Sequence, residues 1–458
     1  MRDLVLVTLF CFCAGLICGW APVFQDIVAA RIAVTQLKDE TYVGYCERGI
    51  ERLDRGEYKS AIEDFNKSIQ LNPKHGRAFN NRGNAEEYLN DYQSALKDFT
   101  RAIDLKYWNG YYNRAALRSK LGDKPGAIAD LTQSIRHKNL LIDSHARRGW
   151  EYELLGDKRA SQADFLILKK CKPSSGREFG NKAWVLAHLG DHVEAIRGFN
   201  ESLRLRPRDA WTLDRRGLSK QALGNNAGAI QDFEEASRLN PDFGDAHYDL
   251  GCAKARARNW KGAVRAYDRA IVCDRSEAIY YSARGDACFN LGDYSAAKAD
   301  YLMRLKLDAA HPAYPLQWIA ATQFELGEFE EALEQYNKAI RVEPKNEFLW
   351  AHRAACRLKL KDDSGARSDV NEAIRLNPKY SWAYLCRGRV RNVLEDKQGA
   401  ISDFRECIRL DNNAAYAYAY RAQLRSEVGD ICGVANDFCS WIRTSVAAIP
   451  QLIQKTFH

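Results

Sequence analysis

The sequence predicts an all-α fold, a solenoid of about twelve helix-turn-helix repeats. Three observations carry that prediction: a segment that recurs every 34 residues, one small residue fixed in every copy, and Gly or Pro at many of the places where a helix has to stop. The recurrence shows when "RGNAEEYLNDYQSALKDFTRAI", residues 82–103, is set beside "RGIERLDRGEYKSAIEDFNKSI", "RGLSKQALGNNAGAIQDFEEAS", "RGDACFNLGDYSAAKADYLMRL" and "RGRVRNVLEDKQGAISDFRECI". With 46% apolar and 28% charged residues in 458, the chain belongs with ordered proteins that can bury a core. The net charge of +8 is spread among acidic residues and gives no argument for nucleic acid.

Residues 4–24, "LVLVTLFCFCAGLICGWAPVF", carry no charge. The run is long enough to cross a bilayer, and its first part fits the apolar region of a secretory signal, with Val28, Ala29 and Ala30 as a cleavage site. Residues 1–30 are therefore expected to be a membrane anchor or an export signal, with the side of the membrane open, and residues 31–41 a linker.

The repeats are placed from Tyr42, Gly76, Trp108, Ile142, Gly176, Ala210, Gly244, Ala278, Ala313, Glu347, Ser381 and Ala415, and the last ends near Ala448. Position 8 of each is Gly or Ala, which lets two helices approach closely. A turn follows at positions 15 and 16, where Gly56, Gly122, Gly156, Gly190, Gly224, Gly292, Gly327 and Gly429 can take the left-handed conformation that stops a helix. Pro73, Pro173, Pro207, Pro241, Pro344 and Pro378 end the second helix, because proline cannot continue the hydrogen-bond ladder. No repeat covers its own apolar stripe, so neighbours must stack. Residues 449–458 read as a tail, or as a cap in which Ile449, Leu452, Ile453 and Phe457 cover the last repeat.

This pattern of small residues at positions 8, 20 and 27, an aromatic at 24 and proline at 32 resembles the tetratricopeptide repeat. The resemblance implies a right-handed superhelix that binds other proteins, without a cofactor and without catalysis.

One departure from the commoner repeat concerns position 7, apolar in most members of the family. Nine repeats here carry Arg at position 7 and Asp at position 23: Arg48 with Asp64, Arg82 with Asp98, Arg114 with Asp130, Arg148 with Asp164, Arg216 with Asp232, Arg284 with Asp300, Arg353 with Asp369, Arg387 with Asp403 and Arg421 with Asp437. Where position 7 is Lys182, Leu250 or Ile319, position 23 is Gly198, Ala266 or Gln335. The correlated loss predicts an ion pair within each repeat, gripped at two points by the guanidinium fork. These residues are thus expected to be structural.

With positions 7, 8, 11 and 14 turned inward, positions 2, 5, 9 and 12 of the first helix lie on its opposite face, flanked by 6 and 13. In the resembled family that face lines a concave groove for extended peptides. Its C-terminal half is apolar: Ile279, Tyr314, Phe348, Trp382 and Tyr416 occupy position 2, with Phe289, Trp318, Phe324 and Tyr420 beside them. These nine residues are the expected partner-binding site. The competing reading is that position 2 leans on the preceding helix and thickens the packing. Asn80, Asn84, Asn113 and Arg147 form a polar wall earlier in the chain. Compared with the carboxylate clamp of chaperone-binding members, Asn84, Asn113 and Arg147 match, while Asn80 and the acidic Asp143 replace its lysines.

No phosphate-binding loop, zinc-protease motif or nucleophile elbow is present, and the 13 cysteines form no C-x-x-C pair outside the N-terminal segment. Most cysteines fall where small buried residues are expected; Cys432 and Cys439 give a weak hint of a disulfide. Two functional classes follow. One is an adaptor that binds an extended peptide or partner helix in the groove. The other is a structural subunit of a membrane-associated assembly that self-associates through the same stripe.

Overall fold

The computed structural model describes residues 41–138 and 140–456, which form 24 α-helices and no strand. The helices are consecutive antiparallel pairs, termed A and B within each repeat. Two compact bodies divide the chain, one through Pro207 and one from Arg208. The first holds repeats 1 to 5, from Tyr42–Asp54 paired with Tyr58–Leu71 to Gly176–His188 paired with His192–Leu205. The second holds repeats 6 to 12, from Ala210–Ala222 paired with Asn226–Leu239 to Ala415–Glu427 paired with Ile431–Thr456. The last helix runs through the segment expected as a tail or cap.

Close approach of A to B explains the residue at position 8. A Cβ added to Gly49, Gly149 or Gly251 would lie 2.6, 2.4 and 2.4 Å from the ring of Phe65, Phe165 or Tyr267 at position 24. Those rings are almost wholly buried and form the centre of each repeat. Alanine takes the same place against the smaller Leu131 and Val370, as Ala115 and Ala354, and also against the Phe199 and Tyr336 rings, as Ala183 and Ala320.

Every A helix ends on a left-handed residue at position 15. Eight are the glycines expected, with φ from 78° to 86°, and the other four are Asn90, Arg258, Lys361 and Glu395 at φ 63°, 57°, 61° and 63°. The following residue caps helix B in most repeats: Asp123 accepts from Gly126 N–H at 2.9 Å and Asp396 from Gly399 N–H at 2.9 Å. Before the prolines the chain turns extended, as at Asn72 and Asn240.

The expectation of a membrane-anchored or exported chain is corrected. Among the described residues no helix is long and apolar enough to cross a membrane. Residues 1–30, on whose apolar run the expectation rested, lie outside the described residues, as does most of the linker. The disulfide hint also gives way, since Cys432 and Cys439 are both free and exposed.

Candidate functional site

In all nine repeats the structure places the position 7 arginine against the position 23 aspartate through two parallel hydrogen bonds, from Nε and from one terminal nitrogen. Arg353 reaches Asp369 at 2.8 and 2.6 Å, Arg82 reaches Asp98 at 2.6 and 2.7 Å, and Arg421 reaches Asp437 at 3.0 and 2.6 Å. The other six have the same fork: Arg48 on Asp64, Arg114 on Asp130, Arg148 on Asp164, Arg216 on Asp232, Arg284 on Asp300 and Arg387 on Asp403. Each aspartate is buried. These side chains tie A to B and leave the opposite face of A to other uses.

Two parts of this network go beyond the sequence reading. A second cation at position 11 reaches the same carboxylate in six repeats: Arg52, Arg118, Lys220, Arg357, Arg391 and Arg425, at 2.7 to 3.0 Å. The signal was in the sequence as a basic residue recurring four positions after the first Arg. In repeat 2 that position is Glu86, whose carboxyl is pushed up to about 7 by burial and by the neighbouring Asp98 charge. The free terminal nitrogen of the arginine also crosses to helix B of the preceding repeat. Arg82 reaches Asn66, Arg284 reaches Asp268 and Arg353 reaches Asn337, at 2.6, 2.6 and 2.8 Å.

Of the nine residues expected to bind a partner, Ile279, Tyr314 and Tyr416 are exposed. Phe289, Trp318, Phe324, Phe348, Trp382 and Tyr420 are half-buried and lean on core clusters. Much of the row is continuous by ring contacts: Phe289 to Trp318 at 5.3 Å, Trp318 to Phe348 at 6.4 Å, Phe348 to His352 at 3.7 Å, and His352 to Trp382 at 5.5 Å. His352, absent from the sequence reading, is the link that joins repeats 10 and 11. Burial drives its pKa down to about 4, so it joins the stack as a neutral ring. Tyr314 does lean on the preceding A helix, donating its hydroxyl to Asp286 at 2.8 Å.

The polar wall lies in the first body. Asn80 is buried and accepts from Asn113 at 2.9 Å, while Asn84 lines a separate hollow with Tyr58, Tyr88 and Lys120. Arg147 lies over the Tyr112 ring at 5.8 Å, with Arg177 over the same ring at 5.6 Å. Asp143 is engaged by Arg177 and by Asn181. The four residues therefore do not converge on one open cavity.

On the A-helix face of repeats 7 to 9 a cavity of about 510 Å³ is open at the surface. It takes in Phe289 and Trp318 and adds Tyr248, Trp260, Tyr301 and Asp286, which the sequence reading did not single out. The lining comes from five helices, and no local pattern marks it.

The family model for the tetratricopeptide repeat matches residues 46–106, 215–276, 248–315 and 320–381. Over 111 residues the chain is 30% identical to small glutamine-rich tetratricopeptide repeat-containing protein 2 of Mycosarcoma maydis, a match covering 24% of this chain and 31% of that protein. Over 84 residues it is 38% identical to serine/threonine-protein phosphatase 5 of Homo sapiens, covering 18% of this chain and 17% of that protein. The chain thus spans less than a third of the length of these relatives. Among solved structures it is similar to yeast Tom70, with 16% identity over 91% of this chain and 97% of that one and a TM-score of 0.41. With the family model on four stretches and 24 helices paired at a 34-residue spacing, this chain belongs to the tetratricopeptide repeat family.

Proposed function

We propose that the chain is a scaffold that holds an extended segment of another protein along the A-helix face of repeats 8 to 12. Tetratricopeptide proteins generally mediate protein–protein interactions and are generally non-catalytic. The observation that carries the finer reading is the aromatic row from Phe289 to Trp382, half-buried and flanked by exposed Ile279, Tyr314 and Tyr416. Rings fixed by packing on one side and open on the other lose little side-chain entropy when a partner covers them. Partly exposed aromatics in line, one per repeat, suit an extended chain better than a compact surface.

Selection of a displayed peptide library on the full chain tests this. Tyr314→Ala and Tyr416→Ala remove exposed rings, so the fold should survive while selected peptides lose affinity by about tenfold or more for the pair of changes. Unchanged affinities in the double variant would sink the reading.

A further inference from the structure

The cavity on repeats 7 to 9 has a chemistry of its own. Rings of Tyr248, Trp260, Phe289, Tyr301 and Trp318 form much of its wall, with the Asp286 carboxylate among them. Asp286 accepts from the Tyr301 hydroxyl at 2.7 Å and from the Tyr314 hydroxyl at 2.8 Å. Both donors are neutral, and among the described residues no cation is paired with this carboxylate. The Trp318 indole nitrogen is buried without a hydrogen-bond partner. Helix A of repeat 7, which lines the cavity, also carries Asp249 and Asp245, the latter 3.6 Å from Arg215 of repeat 6. Arg256, exposed and part of the lining, makes no ion pair among the described residues.

Ring faces present negative potential, and a carboxylate held among them lies in a medium that screens charge weakly. A site of that kind favours a cation that can shed water against the rings while its charge meets the carboxylate. We infer that the cavity receives a basic side chain, lysine or arginine, of the segment held by the scaffold, with Asp286 as the counter-charge and Phe289 and Trp318 as walls. This rests on the reading of the A-helix face as a partner-binding surface and specifies the chemistry of the partner. An acidic segment meets repulsion from Asp286, Asp249 and Asp245. A neutral one leaves Asp286 without its counter-ion.

The test uses the full chain and three fluorescein-labelled dodecapeptides in which alanine alternates with lysine, glutamine or glutamate. At about 150 mM salt, where the Debye length is about 8 Å, distant charges contribute little. The lysine peptide should bind about tenfold tighter than the glutamine peptide, and the glutamate peptide weakest. Asp286→Asn should erase that preference for lysine without changing glutamine binding, and Arg256→Gln should strengthen lysine binding. Thermal melts check the fold of each variant, and Arg256→Gln, at an exposed site, keeps the test decisive if Asp286→Asn destabilises the chain. Three results would overturn the inference: no preference for lysine, indifference to both variants, or no lysine-peptide binding up to millimolar concentration. If the glutamine or glutamate peptide binds equally well and Tyr416→Ala weakens it, the basic-side-chain inference fails while the scaffold reading stands.

Discussion

Asp214 is a carboxylate that the folded chain holds at a cost. It lies on helix A of repeat 6, fully buried, and neither of its oxygens has a hydrogen-bond partner. The Nε of Arg215 comes within 3.3 Å, but burial and the charges of Asp249 and Asp245 outweigh it and push the Asp214 carboxyl from 3.8 to about 7. Folded chain therefore keeps a proton that unfolded chain has released across this range. The sign follows: the contribution of Asp214 to stability is greatest below about pH 4, falls as pH rises towards 7, and is level above that. At about 1.4 kcal/mol per pH unit between the two values, the charged carboxylate costs on the order of 4 kcal/mol at pH 8. Asp214→Asn keeps the shape and removes the titration. The variant should gain stability over wild type at pH 8 by a few kcal/mol, and the gain should shrink towards zero near pH 4. Urea unfolding followed by circular dichroism from pH 4.5 to 8.5 measures this. Taking the difference between the two proteins removes the slope of Glu86, and part of that of Asp249, whose pKa of about 6 is also raised by burial. A difference that stays flat with pH, or a variant weaker than wild type at pH 8, would refute the reasoning.

Two further outcomes follow from the frame. Arg82→Leu leaves Asp98 buried beside Glu86 with no cation at position 11, and should cost roughly 3 to 5 kcal/mol by urea unfolding. Arg353→Leu should cost less, because Arg357 still holds Asp369 at 3.0 Å, and Arg353→Leu with Asp369→Ala should recover much of that loss. At position 15 of repeat 11, Glu395→Gly should raise the melting temperature, contributing about 1 kcal/mol, because glycine takes the left-handed φ of 63° without the clash that a Cβ brings. A lower melting temperature would show that Glu395 holds the turn by some other contact.

What the sequence carried well was whatever repeats. Gly at position 8 and the Arg with Asp sixteen residues on occur often enough for their joint absence, as at Leu250 with Ala266, to carry information. The same logic would have found the basic residue at position 11. It failed at Asn90, Arg258, Lys361 and Glu395, whose side chains do not advertise a left-handed backbone that the helix pair imposes on them. It was also silent on His352, whose role depends on the Trp382 ring of the next repeat as well as on Phe348 one turn before it. The cavity at Asp286 was equally illegible, since its walls come from helices up to 70 residues apart in a chain read 34 residues at a time. The apolar run in residues 4–24 misled in the opposite way: composition alone suggested a compartment, and no spanning helix occurs among the described residues.

The arginine that bridges to the preceding helix B has a consequence for how such a chain can grow. Asp268, Asn66 and Asn337 each offer an acceptor to the arginine that comes next. Where no arginine follows, the same place holds Leu302 ahead of Ile319, or Glu234, which is taken instead by Lys254 at 2.9 Å. The repeats that carry Asn66, Asp268 and Asn337 are thus keyed to their successors, much as adjoining tiles match at one edge. Duplicating or deleting a single repeat keeps the period and the fold of each pair, yet it can set an unpaired charge against an apolar neighbour. Blocks whose ends match can be exchanged freely. The order of the repeats, and so the order of whatever lies on their outer face, is written into their internal struts.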